Sequence, residues 1–366
     1  MPQHGLVASR LRVGVFSYRL PVVGEKRGGI ERVAHDLADG LGRRGHAVTV
    51  ISHDPRPEGA AYDVVPLQWR GFVDSWLGRR VTMGYLGNVL WLLPAVSAFD
   101  VLLTHGDSLL LPLTRKPFVR VMHGSARGEA ASATSVGRFL LQAGVYGQEL
   151  AGAALHRETV AVSENTRHAN RFIRHVIPNG VDRRVFHPRA AARAGCPMLL
   201  FVGAMSGRKR GGWLLDVFER TIRAQVPDAE LHMVCAPGPE RPGVSYHVGV
   251  TGEELAALYC RAWLYVSPST YEGFGLPYAE ALACGTPVVA TPNAGSCEVL
   301  AAGGGILAGD AEFGSTVATL LKDSPGRETL THEARRRCGD YDLETTIDAY
   351  ESLLRLLAPS RNGIHA

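Results

Sequence analysis

The sequence predicts an α/β protein made of two doubly wound, parallel-sheet domains. Short, nearly unbroken apolar runs recur at residues 11–16, 48–51, 101–104, 118–122, 159–162, 198–202, 231–235, 264–266 and 287–290. Such runs suit strands covered by helices on both faces. Segments of helical period alternate with them, as repeated strand–helix–strand units require. A length of 366 residues is enough for two cores of ordinary size.

Composition narrows the function. Apolar residues make up 46% of the chain and charged residues 20%, the balance of a water-soluble globular protein. A net charge of +4, without basic runs interleaved with aromatics, does not point to nucleic acid. The six cysteines form no Cys-x-x-Cys pair, so a reducing, cytoplasmic compartment without disulfides or a zinc site is expected. No apolar segment of signal-peptide length precedes Leu11. Residues 86–99 are the most membrane-like stretch, but Pro94 breaks them and they are too short to span a bilayer. A buried helix is expected there. The sharper alternative is an interfacial helix flanked by Arg79 and Arg80, giving peripheral contact with the inner face of the membrane.

In chain order, the strand at 11–16 leads to Gly28-Gly29. These glycines open an amphipathic helix that runs to about Arg44. Ile30, Val33, Ala34, Leu37, Ala38 and Leu41 fall on its helical period. The strands at 101–104 and 118–122 are each followed by His-Gly, at His105 and His123. A histidine at a strand's carboxyl end can reach the crevice of an open sheet. His105 reads as a solvated or hydrogen-bonded loop histidine. Ser163 suits the cap of a following helix, Asn179-Gly180 a tight turn, and residues 187–195 an interdomain linker.

The second domain starts with the strand at 198–202. Gly203 to Gly212 form a loop containing Arg208, Lys209 and Arg210. These cations suit a diphosphate, or are simply solvated. The strand at 264–266 then enters a polar loop, and a helix starts at Leu276 with Gly275 as its cap and Pro277 in its first turn. The free amides of Phe274, Gly275 and Leu276 can hold a phosphate. Glu280 lies about one turn into the helix. A carboxylate only accepts hydrogen bonds, so it suits the diol of a ribose. Glu272 can hold sugar hydroxyls. Read singly, Glu280 also serves as a helix-dipole complement and Glu272 as a solvated loop charge. Asp340-Tyr341-Asp342 precedes a last amphipathic helix at 343–357 and reads as a helix start, so no metal is assigned.

Glu272-Gly-Phe-Gly-Leu-Pro-Tyr-Ala-Glu280 resembles the Glu-x7-Glu motif of the retaining glycosyltransferases of family 4. Pro268-Ser269, Ala283-Cys284-Gly285-Thr286-Pro287-Val288-Val289 and Glu298-Val299 match the same context, as do Gly28-Gly29-Ile30-Glu31 and Val176 to Asp182 more loosely. The resemblance implies the GT-B fold, two Rossmann-like domains around a cleft with a last helix crossing back to the first. It implies an acceptor-binding domain at 1–187, a nucleotide-sugar-binding domain at 188–340 and the crossing helix at 341–358. It places Glu280 on the ribose, Glu272 on the donor sugar, His123 near the transferring sugar and Lys209 on the diphosphate. Gly28, Gly29, Gly203, Arg208, Phe274, Gly275 and Leu276 complete the donor site. Ala204 stands where the family usually has arginine, and Arg208 is the expected substitute. The implied activity is metal-independent, retaining transfer from a nucleoside diphosphate sugar, UDP-sugars first among the donors, to an acceptor hydroxyl, with no cofactor. The alternatives are a pseudo-glycosyltransferase, a sugar-phosphate-releasing enzyme, or a non-catalytic nucleotide-binding protein.

Overall fold

The structure is a computed structural model and describes residues 9–21, 28–66, 94–106, 111–131, 135–155, 158–189 and 193–359. The first domain is built on a seven-stranded sheet. Its strands are β1 (Arg12–Ser17), β2 (Ala47–Ser52), β3 (Asp63–Pro66), β4 (Val101–His105), β5 (Phe118–Met122), β6 (Thr159–Ala161) and β7 (His175–Val176). All pair in parallel, in the order β3-β2-β1-β4-β5-β6-β7. The winding reverses between β1 and β4, which opens a crevice at their carboxyl ends.

The second domain carries a six-stranded parallel sheet of β8 (Met198–Val202), β9 (Glu230–Val234), β10 (Val244–His247), β11 (Leu264–Ser267), β12 (Val288–Ala290) and β13 (Gly305–Leu307). Its order is β10-β9-β8-β11-β12-β13, with the reversal between β8 and β11. The two sheets are thus each doubly wound, as the apolar runs predict. The edge strands β3, β7 and β10 carry no such run and were not predicted.

Helix α1 (Gly29–Arg43) buries Val33, Ala34, Leu37, Ala38 and Leu41, the last three in one cluster with Val13, Val15, Val48 and Val50 of the first sheet. Ile30 shares their period but stays exposed. The remaining first-domain helices are α2 (Ala126–Ala131), α3 (Val136–Leu155) and α4 (Glu164–Ala169). Ser163 caps α4, its Oγ accepting the Thr166 N–H at 3.1 Å. In the second domain α5 (Gly211–Val217) continues into a π turn, Phe218–Ile222. It is followed by α6 (Gly252–Arg261), α7 (Leu276–Ala283), α8 (Ala294–Val299), α9 (Asp310–Lys322) and α10 (Ser324–Arg336).

The last helix, α11 (Leu343–Leu357), returns to α1 of the first domain. Arg44 ties it there through Glu344 at 2.7 Å, Asp348 at 2.6 Å and Glu351 at 2.9 Å. Asp342 caps it by accepting the Glu344 N–H, and Asp340 pairs with Arg337 at 2.8 Å. Asn179-Gly180 is not a turn. A Cβ on Gly180 would overlap Leu343 at the start of α11, so glycine is required there by close approach.

Of the membrane-like stretch, Pro94–Ala98 forms a 3-10 turn. Its earlier part, with Arg79 and Arg80, lies outside the described residues. No helix among the described residues is long and apolar enough to cross a membrane.

Candidate active site

The loops that leave β8 and β11, at the reversal of the second sheet, meet over Glu272. Gly207–Lys209 forms a 3-10 turn that brings two consecutive cations to one carboxylate. Arg208 donates to Glu272 Oε2 at 2.7 Å and to the Tyr271 carbonyl at 2.7 Å. Lys209 Nζ pairs with the other carboxylate oxygen. Glu272 is 5% exposed. Burial works against its ionisation, but Lys209 and Arg208 outweigh burial and hold its pKa below the ordinary glutamate value. Glu272 is therefore a charged, fixed group rather than a solvated loop residue. Arg210 faces elsewhere, stacked on Trp213 and paired with Asp310.

The same loop touches the first domain. Tyr271 OH accepts the Ser125 N–H at 2.8 Å, and the Gly273 carbonyl accepts from Ser163 Oγ at 2.6 Å. A Cβ on Gly273 would overlap the His123 carbonyl. Gly275 has φ +95°, a left-handed conformation that suits glycine, and caps α7. Phe274 buries its ring against Tyr341, so only its backbone is free to act in the cleft. Across the cleft, a Cβ at Gly29 would stand 3.4 Å from the Leu276 side chain. The N-termini of α1 and α7 therefore face each other, each presenting amides with partial positive charge. Beside Gly28 lies the Glu31 carboxylate. Gly203 is explained by packing, because a Cβ there would overlap the Phe201 ring.

Glu280, 4% exposed, has both oxygens engaged. Arg32 of α1 donates to Oε1 at 2.7 Å and Tyr259 OH donates to Oε2 at 3.0 Å. Burial raises the Glu280 pKa, and Arg32 and Tyr259 offset it in part. The site also contains a histidine pair. His105 Nδ1 and His123 Nε2 lie 2.8 Å apart with the rings stacked. His105 is buried and His123 keeps partial access to the cleft. Burial lowers the His123 pKa to about 4, and burial together with His123 lowers the His105 pKa well below the ordinary histidine value. Both rings are therefore neutral near pH 7 and share one hydrogen bond.

Sequence reasoning named Glu272, Glu280, Lys209, Arg208, His123 and the glycines of both helix starts. It missed Arg32, Tyr259 and Tyr271, and it did not foresee the pairing of His105 with His123. The one signal at Arg32 is its place about one turn inside the helix that Gly28-Gly29 opens, and nothing local ties it to Glu280.

Two facing doubly wound domains, with a cleft bordered by opposed helix N-termini and a cationic turn, define the GT-B class of glycosyltransferase folds. Solved structures agree on the fold. Sucrose-phosphate synthase from Thermosynechococcus elongatus superposes with a TM-score of 0.78 at 21% identity, covering 95% of this chain and 99% of that one. Anabaena HepE, in complex with UDP-glucose, gives 0.72 at 16% identity, covering 95% and 100%. The family described as Glycosyltransferase Family 4 matches residues 27–185, and the one described as Glycosyl transferases group 1 matches 196–323. The chain belongs to the group 1, family 4 glycosyltransferases.

Among curated relatives, alpha-maltose-1-phosphate synthase of Mycobacterium tuberculosis is 30% identical over 49% of this chain and 57% of its own length. The phosphatidyl-myo-inositol mannosyltransferase of Propionibacterium freudenreichii is 26% identical over 91% of both chains. The D-inositol 3-phosphate glycosyltransferase of Geodermatophilus obscurus is 30% identical over 64% of this chain and 60% of its own. The match to the first of these relatives thus spans little more than half of that protein.

Proposed function

We propose that the protein transfers a sugar from a nucleoside diphosphate sugar to an acceptor hydroxyl, with retention at the anomeric carbon. The observation that carries this reading is the convergence of α1, α7 and the Arg208–Lys209 turn on one cleft, with Glu280 inside it. Breaking the sugar–phosphate bond places charge on the diphosphate, so groups aimed at those oxygens favour the transition state over the ground state. The reading assigns that task to the amides at Gly29 and Gly275 and to Lys209 and Arg208, not to a metal ion. Glu280 takes the ribose, and Glu272 and His123 orient the sugar.

Glu272 is flanked by two cations, which makes it a weak nucleophile. A front-face route follows, in which the sugar–oxygen bond to the diphosphate breaks as the acceptor oxygen bonds to the anomeric carbon. The departing phosphate takes the acceptor's proton. UDP-sugars stand first among the donors. The acceptor is read by first-domain loops, and a lipid-linked acceptor would place the protein against the inner face of the membrane. The relatives' printed names, a mannosyltransferase on phosphatidyl-myo-inositol and a glycosyltransferase on D-inositol 3-phosphate, make inositol-bearing acceptors the first to try.

The test is a thermal-shift screen against UDP-, GDP-, dTDP- and ADP-sugars, followed by turnover of any stabilising donor. Donor consumption that survives EDTA, disappears in Glu280→Ala and yields a product of unchanged anomeric configuration supports the reading. Binding of a donor with no turnover under any acceptor sinks it in favour of a non-catalytic nucleotide-binding protein. Inverted product sinks the front-face route.

A further inference from the structure

Glu280 belongs to the second domain, but its strongest partner does not. Arg32 approaches it from α1, a separation of 248 residues along the chain. The Arg32 guanidinium lies over the Phe186 ring at 4.7 Å and its Nε stands 3.6 Å from Asp36. Phe186 is fully buried and Arg32 is half-buried, so the guanidinium rests on a rigid floor at the domain seam. We propose that Arg32 is a positioning residue for nucleotide recognition: it holds the Glu280 carboxylate across the seam, so that the ribose-reading group is complete only when the two domains meet.

The inference rests on the reading of Glu280 as the ribose contact and goes beyond it. The groups that interact most with Glu280 are Arg32 and Asp36 from α1, Tyr259 from α6 and Lys209 from the loop after β8, with Tyr265 and Cys284 also near it. Tyr259 donates one hydrogen bond but carries no charge, Lys209 is already committed to Glu272, and Asp36 repels. Arg32 is thus the cation that makes an ionised Glu280 tolerable in a buried site. Without it, burial favours the neutral acid, whose hydrogen bonds to a diol are weaker than a carboxylate's. The remaining lone pairs of the two carboxylate oxygens stay open to a ribose while Arg32 and Tyr259 are in place. Domain closure and sugar reading are then one event.

Calorimetric binding of UDP, GDP and ADP, each against its 2′-deoxy analogue, tests this in the intact protein. The ratio of the two affinities isolates the ribose contact from the diphosphate contact. In the wild type the ribo form should bind about tenfold more tightly than the deoxy form. Arg32→Met should bring the ratio to within about twofold while diphosphate binding persists, and Arg32→Lys should restore much of it. Arg32→Met that keeps the full ratio, including one that weakens both forms equally, overturns the inference and leaves the ribose reading intact. A wild type without any preference for the ribo form overturns the ribose reading itself. Failure of all three nucleotides to bind removes both.

Discussion

Glu298 of the second domain accepts hydrogen bonds from the backbone N–H groups of Glu164 and Asn165 in the first, at 2.8 and 3.1 Å. The Asn165 side chain adds a third at 2.9 Å. A carboxylate on α8 thus closes the open end of α4 and supplies acceptors that the short helix cannot provide for itself. The same seam includes the bonds of Ser163 to Gly273 and of Ser125 to Tyr271. It therefore holds the Glu272 loop against the His123 strand end.

Replacing Glu298 by alanine should loosen this seam without unfolding either domain. Loss of a charged cap costs about 1 kcal/mol. That is enough to shift an open–closed equilibrium by about fivefold. Small-angle scattering should record a larger radius of gyration for Glu298→Ala than for the wild type. Identical curves, with and without UDP, would show that the cap does not govern closure.

Glu272 is paired with both cations that the proposed function assigns to the diphosphate. Glu272→Gln leaves Arg208 and Lys209 facing a neutral amide, freeing two donors for phosphate oxygens. UDP should then bind more tightly, by about tenfold, while sugar transfer falls by about a hundredfold because the donor sugar loses a charged acceptor and keeps only a neutral amide oxygen. The opposite signs of the two effects are diagnostic. Weaker UDP binding in Glu272→Gln would show that these cations do not grip the diphosphate.

Stability should decline with acidity through the histidine pair. In the unfolded chain both rings titrate near about 6.5. In the folded protein burial depresses His123 to about 4 and His105 well below its ordinary value. Below about pH 6.5 the unfolded state therefore binds more protons, and the pair's contribution, full above that pH, is lost as pH falls toward about 4. For His123 alone the difference is roughly 3 kcal/mol, reduced by whatever water the cleft admits. Glu351, held at about 2 by Arg44, Arg355 and His46 against its own burial, stays ionised over this range. Urea midpoints measured near pH 7.5 and pH 5 should differ strongly in the wild type and much less in His105→Asn/His123→Asn. His247, also lowered by burial, accounts for part of the remainder. An unchanged pH slope in the double variant would place the acid sensitivity elsewhere.

The fold and much of the site were legible for different reasons. Buried parallel strands such as Met198–Val202 and Phe118–Met122 advertise themselves because both faces are covered, so the first run is wholly apolar and the second is interrupted only by Arg120. Asp63–Pro66 and Val244–His247 lie at sheet edges, keep polar or exposed positions, and show no unbroken apolar run. Glu272 and Glu280 were readable because one loop and one helix start set their spacing locally. Arg32 on Glu280 joins two domains, and no local pattern encodes that distance. The bond of His105 to His123 was not legible because its partner is brought alongside by the pairing of β4 with β5, a relation that exists only in the sheet.

Gly40 faces the last helix, and its effect on stability should change sign with its neighbour. A glycine inside a helix is about 1 kcal/mol worse than alanine, so Gly40→Ala in open space would stabilise α1. Here a Cβ would overlap the end of Ile347, with its Cγ1 at 3.0 Å, and Ile347 is fully buried on α11. Overpacking of this kind costs about 1–3 kcal/mol, which outweighs the helical gain. Gly40→Ala alone should therefore destabilise by about 1 kcal/mol. In an Ile347→Ala background the space is open, and the same change should stabilise by several tenths of a kcal/mol. A urea double-mutant cycle reads the coupling directly. Equal destabilisation in both backgrounds would show that α11 does not set the requirement for glycine at position 40.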